Sequence, residues 1–198
     1  MIRAVMFDFD GTVIDTMNEY AGLASEIIEE IAGIDREKAK SLYLSTAGMS
    51  FKEQLKIMGI EGGKAEEIYR RFIEGKMVIL KSKRISPHVE ILIGNLKERG
   101  IISSLSTNNE CSVVYLIEGI RAFDEVLCFN GSDSYKGEPH LKFLMEKYGL
   151  RKEEIVFIGD SDYDIRTYSV LGIKSIKTRG IFSEEERERI IREILEMS

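Results

Sequence analysis

The chain has 198 residues, enough for one domain or for one domain carrying a sizeable insertion, and too few for two full-sized α/β domains. Hydrophobic residues at 43% and charged residues at 31% supply a core and exclude a disordered chain, while 28 Lys and Arg against 34 Asp and Glu leave a formal charge of −6 that gives no reason to expect nucleic acid or an anionic membrane as partner. No apolar run reaches the ~18 residues of a membrane span, and the acids of MIRAVMFDFDG interrupt the stretch a signal peptide would need, so the cytoplasm is the expected compartment.

Residues 2–7 open the chain as a short, mainly apolar run that ends at Asp8 and the turn pair Asp10-Gly11, the pattern of a buried strand. From there to Pro87 no second strand signal occurs. Helical patterns fall near 17–31, 35–44, 50–58 and 64–83, punctuated by Gly33, Gly48, Gly59 and the Gly62-Gly63 pair, and read as a small bundle inserted after the first strand. Residues 89–99 resume with Val89, Leu92, Ile93 and Leu96 on one helical stripe, stopped by Gly100. Further buried strands are expected at 101–106, 126–129, 155–158 and, more weakly, 173–176. Helices are expected at 110–119, 141–148, 162–171 and 184–197. Strands alternating with helices, each strand almost wholly apolar, predict an α/β fold with a doubly wound, mainly parallel five-stranded Rossmann-like sheet covered on both faces. The sheet domain is expected over 1–14 and 87–198, with a helical cap over 15–86. Cys111 and Cys128 show neither a CxxC pattern nor a nearby histidine pair, and are expected as buried, reduced thiols.

In open α/β sheets functional groups gather beyond the carboxyl ends of the strands. Asp8, Phe9, Asp10, Gly11 and Thr12 follow the first predicted strand, Thr107 and Asn108 the second, Lys136 the third, and Gly159, Asp160, Ser161, Asp162 and Asp164 the fourth. Several carboxylates at close range repel one another, and a hard divalent cation such as Mg²⁺ relieves that repulsion through oxygen ligands. A lysine and a threonine hydroxyl could hold phosphate oxygens. One aspartate could attack phosphorus, and another could protonate the leaving oxygen and activate water.

The segment DFDGTVIDT (8–16), the strand ending in Thr107-Asn108 and the segment VFIGDSDYD (156–164) together resemble three motifs of the haloacid dehalogenase superfamily, in order, placement and spacing. The resemblance implies Asp8 as nucleophile and metal ligand, and Asp10 as general acid/base with its backbone carbonyl on the metal. It implies Thr107 as a hydrogen-bond donor to the transferring phosphoryl group, Asp160 as a direct Mg²⁺ ligand, and Asp164 as a metal residue that binds through water or orients the site. The motif lysine departs from pattern: Tyr135-Lys136-Gly137-Glu138-Pro139 puts Glu138 where lysine is expected. Lys136 is assigned the role by its reach on a Gly-containing loop, with Lys142 as the other candidate. Gly11, Thr12 and Asn108 are candidate phosphate contacts, and Lys52, in a loop of the insertion at 48–52, a candidate substrate contact. Asp162 reads as a solvated helix cap, Asp15 as a hydrogen-bonding partner at the root of the insertion, and His88 and His140 as loop or helix-start residues.

These residues predict a Mg²⁺-dependent phosphatase, similar to phosphoglycolate phosphatases, acting on a small phosphorylated metabolite beneath a mobile lid. The expected state is a monomer or homodimer with no nucleic-acid or membrane partner. A phosphosugar mutase similar to β-phosphoglucomutase is the alternative. A phospho-accepting regulatory module fits less well, because Asp10 would have no purpose in a site that keeps its phosphate.

Overall fold

Four residues of unbroken apolar character, Ala4–Phe7, form strand β1, and all four are buried. The structure, a computed structural model, describes residues 1–131 and 134–197. It divides into two units, one of Met1–Asp15 with Lys83–Ser198 and one of Thr16–Ser82. The second unit is helical, built from α1 (Met17–Ala32), α2 (Arg36–Ser45), α3 (Phe51–Ile57) and α4 (Gly62–Leu80). Its core is aromatic. Phe72 of α4 packs on Phe51 of α3 at 4.1 Å between ring centroids and meets Tyr20 of α1 edge-on at 6.1 Å, while Tyr43 of α2 meets Phe51 at 5.9 Å. Asp35 caps α2 by accepting the Lys38 N–H, and Ser50 and Glu53 form a reciprocal capping box on α3. That box draws Phe51 and Lys52 into the first turn of α3, so Lys52 is helical and not a loop residue as its sequence context predicts.

The first unit continues with α5 (Pro87–Glu98), β2 (Ile102–Glu110), α6 (Cys111–Val114), β3 (Glu125–Phe129), α7 (Glu138–Tyr148), β4 (Ile155–Gly159), α8 (Asp162–Val170), β5 (Lys174–Lys177) and α9 (Glu184–Glu196). The five strands form one sheet in the order β3-β2-β1-β4-β5, and every neighbouring pair is parallel. Phe7 lies opposite Leu105 of β2 on one side and Ile158 of β4 on the other. Met6, Phe157, Tyr168, Leu141 and Leu144 belong to one buried cluster, and Phe7 meets Phe123 edge-on at 5.6 Å. The chain builds outward from β1 to β3, then returns to lay β4 on the other side of β1. That reversal opens a crevice at the carboxyl ends of β1 and β4.

Three local expectations are corrected. β2 runs four residues past Ser106, so the helix expected at 110–119 shrinks to α6. There the N–H groups of Leu116 and Ile117 bond the carbonyls of Val113 and Val114, a three-residue spacing that tightens the chain out of the α-helix. β5 starts one residue later than its apolar run. Cys111 and Cys128, expected as reduced thiols, form a disulfide with 5.1 Å between their Cα atoms. Glu110 of β2 lies opposite Phe129 of β3, and each cysteine adjoins one member of that pair, Cys111 as the first residue of α6 and Cys128 within β3, so the pairing of the two strands brings them within reach. Among the described residues, no helix is long and apolar enough to cross a membrane.

Candidate active site

Because Phe7 and Ile158 are paired, β1 and β4 deliver Asp8 and Asp160 to one point, and the Asp8 N–H donates to the Ile158 carbonyl at 2.8 Å. The strand end between them is tight. A Cβ at Gly159 would stand 2.7 Å from Phe157 Cε1 and 3.5 Å from Asp8 Cβ, which is the reason for glycine there. Ser161 caps α8 by accepting the Asp164 N–H at 3.1 Å, and its hydroxyl donates to Asp164 Oδ2 at 2.7 Å, fixing both the helix start and the carboxylate. Ligand atoms of Asp8, Asp160 and Asp164 all lie within 4.8 Å of one another.

Lys136 closes this cluster. Its Nζ is 2.6 Å from Asp8 Oδ1 and 2.7 Å from Asp164 Oδ2, and its side chain is 8% exposed. Burial opposes the ammonium, but Asp8 and Asp164 outweigh that cost and hold its pKa above the ordinary lysine value. Burial raises the Asp8 pKa well above the ordinary carboxylate value; Lys136 pulls it back, while Asp164 and Asp160 push it further up. Burial also raises Asp160. Three carboxylates against one ammonium leave excess negative charge in a buried place. An oxygen-only donor set with that charge suits a hard cation such as Mg²⁺. Glu138, at the position where the family pattern expects lysine, is the exposed first residue of α7. Lys142 is exposed and paired with Glu146, so it takes no part.

The turn after β1 carries Asp10. Gly11 supplies a φ of 75°, and the N–H groups of Thr12, Val13 and Ile14 all bond the Phe9 carbonyl. Thr12 is wholly buried, its hydroxyl has no partner among the described residues, and its carbonyl accepts the Ile181 N–H, so it braces the turn from inside. Beyond Ser106 the β2–β3 register shifts. There the Thr107 hydroxyl oxygen accepts the Asn109 N–H at 3.1 Å, and the Asn108 side-chain carbonyl accepts the Lys136 N–H at 2.9 Å. The Asn109 amide donates to Asp10 Oδ2 at 2.7 Å. Asn108, a candidate phosphate contact by sequence, thus holds the loop of the lysine.

Behind the site lies a buried polar chain that sequence reasoning missed. Ser106 Oγ bonds His140 Nδ1 and the Tyr168 hydroxyl, each at 2.9 Å, and Ser134 Oγ lies 3.3 Å from His140 Nε2. Tyr168 stacks on Phe157 at 3.8 Å, and burial pushes its pKa up to about 12. Burial pushes His140 down to about 4, which makes it a neutral imidazole. Ser161 had a sequence signal, a serine followed three residues later by an acid at a helix start. Asn109, Ser106 and Tyr168 had none. Asp162 is exposed and paired with Lys177 at 2.6 Å, in the first turn of α8 whose cap is Ser161. Asp15 is exposed, and His88 lies at the start of α5 behind the Ser86 cap. Lys52 lies in the helical unit, with its Nζ 4.7 Å above the centre of the Tyr69 ring.

The haloacid dehalogenase-like hydrolase family model matches residues 5–178. A phosphoglycolate phosphatase of Photorhabdus laumondii is 24% identical over 183 residues, covering 86% of this chain and 77% of its own. Among solved structures, a subfamily IA hydrolase of the same superfamily from Geobacter sulfurreducens superposes with a TM-score of 0.65 at 22% identity, covering 98% of this chain and 96% of its own. CbbY of Rhodobacter sphaeroides, solved in complex with phosphate, superposes at 0.66 with 21% identity over 94% and 90% of the two chains.

Proposed function

The chain belongs to the haloacid dehalogenase-like hydrolases, and from that premise we propose that it is a Mg²⁺-dependent phosphatase of the phosphoglycolate phosphatase kind, acting on a small phosphate monoester. The observation that carries this reading is the contact of the Lys136 ammonium with both Asp8 and Asp164 at the end of β1, with Asp160 beside them. Asp8, Asp160 and Asp164, with the Asp10 backbone carbonyl, would hold Mg²⁺, which when bound neutralises charge on the phosphoryl oxygens and on Asp8.

The chain's own groups account for the rest. Lys136 and the Thr107 hydroxyl hold phosphoryl oxygens in line with Asp8. An Asp8 carboxylate oxygen forms a bond to phosphorus as the ester P–O bond breaks, and Asp10 gives its proton to the departing oxygen. Water then attacks phosphorus, its proton passes to Asp10, and the bond between phosphorus and Asp8 breaks to release inorganic phosphate. Burial of Asp8 keeps water away from the nucleophile between turnovers and places the reaction in a low dielectric.

The test is steady-state turnover of phosphoglycolate, sugar phosphates and nucleoside monophosphates, ranked by kcat/KM with Mg²⁺ and with chelator. Mg²⁺-dependent phosphate release, lost in Asp8→Asn, is the expected result. Undiminished turnover in Asp8→Asn would overturn the proposal, and conversion of a phosphosugar to its isomer without net phosphate release would replace hydrolysis by return of the phosphoryl group from Asp8 to a sugar hydroxyl.

A further inference from the structure

We propose that Asn109 is a positioning residue that aims two catalytic groups at once, Asp10 through its side chain and Thr107 through its backbone; this deepens the phosphatase reading and rests on it. The amide Nδ2 of Asn109 donates to Asp10 Oδ2 at 2.7 Å. A carboxyl group has two oxygens, and only a protonated one can deliver a proton to a leaving alkoxide. A donor fixed on Oδ2 makes that oxygen an acceptor, stops the carboxyl from rotating, and so assigns proton exchange with the leaving group to Oδ1. The Asn109 N–H donates to Thr107 Oγ1 at 3.1 Å. That bond occupies a lone pair of the hydroxyl and leaves its single proton for a phosphoryl oxygen.

Both bonds lie in the stretch where the β2–β3 register shifts after Ser106. Asn108 turns to the Lys136 N–H at 2.9 Å and Asn109 to Asp10. The β2 terminus is therefore the brace through which Asp10 after β1, Thr107 within β2 and Lys136 after β3 share one reference. Half-buried Asn109 contributes to catalysis through Asp10 and Thr107, without touching the ester itself.

The proton on Asp10 matters only where the leaving group needs it. An alkoxide leaves poorly without a proton, whereas dinitrophenolate needs none. The experiment compares Asn109→Ala with the wild type on an alkyl phosphate and on dinitrophenyl phosphate, both with Mg²⁺. The quantity read is kcat/KM, which includes only the steps through formation of the phospho-enzyme. Loss for the alkyl ester should exceed loss for the aryl ester by about 10²-fold, and Asp10→Asn should show the same split. Equal losses on the two esters in Asn109→Ala, with the split retained in Asp10→Asn, would reduce Asn109 to a structural residue and overturn the inference. Asn109→Leu keeps the approximate size of the side chain and removes the donor. It should show the split even if the alanine variant folds poorly, and equal losses in it overturn the inference in the same way. A wild type inactive on both esters would instead overturn the phosphatase reading itself.

Discussion

Lys136 sits two residues before the place that the family pattern reserves for its lysine, yet its ammonium touches Asp8 and Asp164. Reach on a flexible loop was readable in the sequence; the anchor of that loop, Asn108 on the Lys136 N–H, was not. Lys136→Ala should lower kcat/KM by about 10²- to 10³-fold. It also leaves three clustered carboxylates without their counter-charge, so the metal-free variant should lose about 3 kcal/mol of stability, and Mg²⁺ should restore a larger share of Tm than in the wild type. Thermal melts with and without Mg²⁺ check this. His140 makes a second prediction. Its folded pKa lies near 4, below the ordinary value of 6.5, so folding favours the neutral ring. That stability is complete above pH 6.5 and declines as pH falls toward 4, by at most about 3 kcal/mol. Denaturant titrations from pH 7 to pH 4 should show a shallower decline for His140→Gln than for the wild type. A parallel decline would place the acid sensitivity elsewhere. The aspartates were legible because each follows a strand in a known order. Asn109 and His140 were not, because a side-chain bond to a residue far along the chain depends on register that no local pattern encodes.

Among the elements, the buried strands β1 and β4 and the inserted helices follow from apolar runs and helical stripes, while Asp35 and Ser50 cap α2 and α3 of the insertion and Ser161 and Ser183 cap α8 and α9 of the sheet unit. The carboxyl end of β2 did not follow. Ser106-Thr107-Asn108-Asn109-Glu110 is polar and carries a turn-forming composition, yet it stays extended beside β3 as far as the Glu110–Phe129 pair. Non-local pairing overrides local preference there. The same pairing creates the Cys111–Cys128 disulfide, which neither cysteine announces by spacing. The bridge ties the strand end that holds Thr107 to the strand that leads into the Lys136 loop. With a separation of 17 residues it should stabilise the chain by about 3 kcal/mol through loop closure. Titration of the denatured chain without reductant should find no free thiol, and Cys111→Ser should melt lower. An unchanged Tm for the variant would show that the bridge contributes nothing to the folded state.

For the molecule as a whole, the sequence supports one α/β domain interrupted after its first strand, and the structure shows a helical unit of Thr16–Ser82 within a parallel-sheet unit. The sheet order explains why a chain with a net charge of −6 gathers acids at a single crevice. The reversal between β1 and β4 brings together residues separated by most of the sequence, and their mutual repulsion is answered by the buried Lys136 ammonium and, in the proposed function, by Mg²⁺. What a substrate must satisfy beyond its phosphoryl group has no comparable signature in the strand ends. The central claim is that Asp8 becomes the phosphoryl carrier, and acid-quenched single turnover followed by peptide mass spectrometry tests it most directly. The account predicts one phosphoryl group on the Asp8 peptide within the first turnover, absent in Asp8→Asn. Phosphate release with the Asp8 peptide never modified, or with the phosphoryl group on another residue, would contradict it.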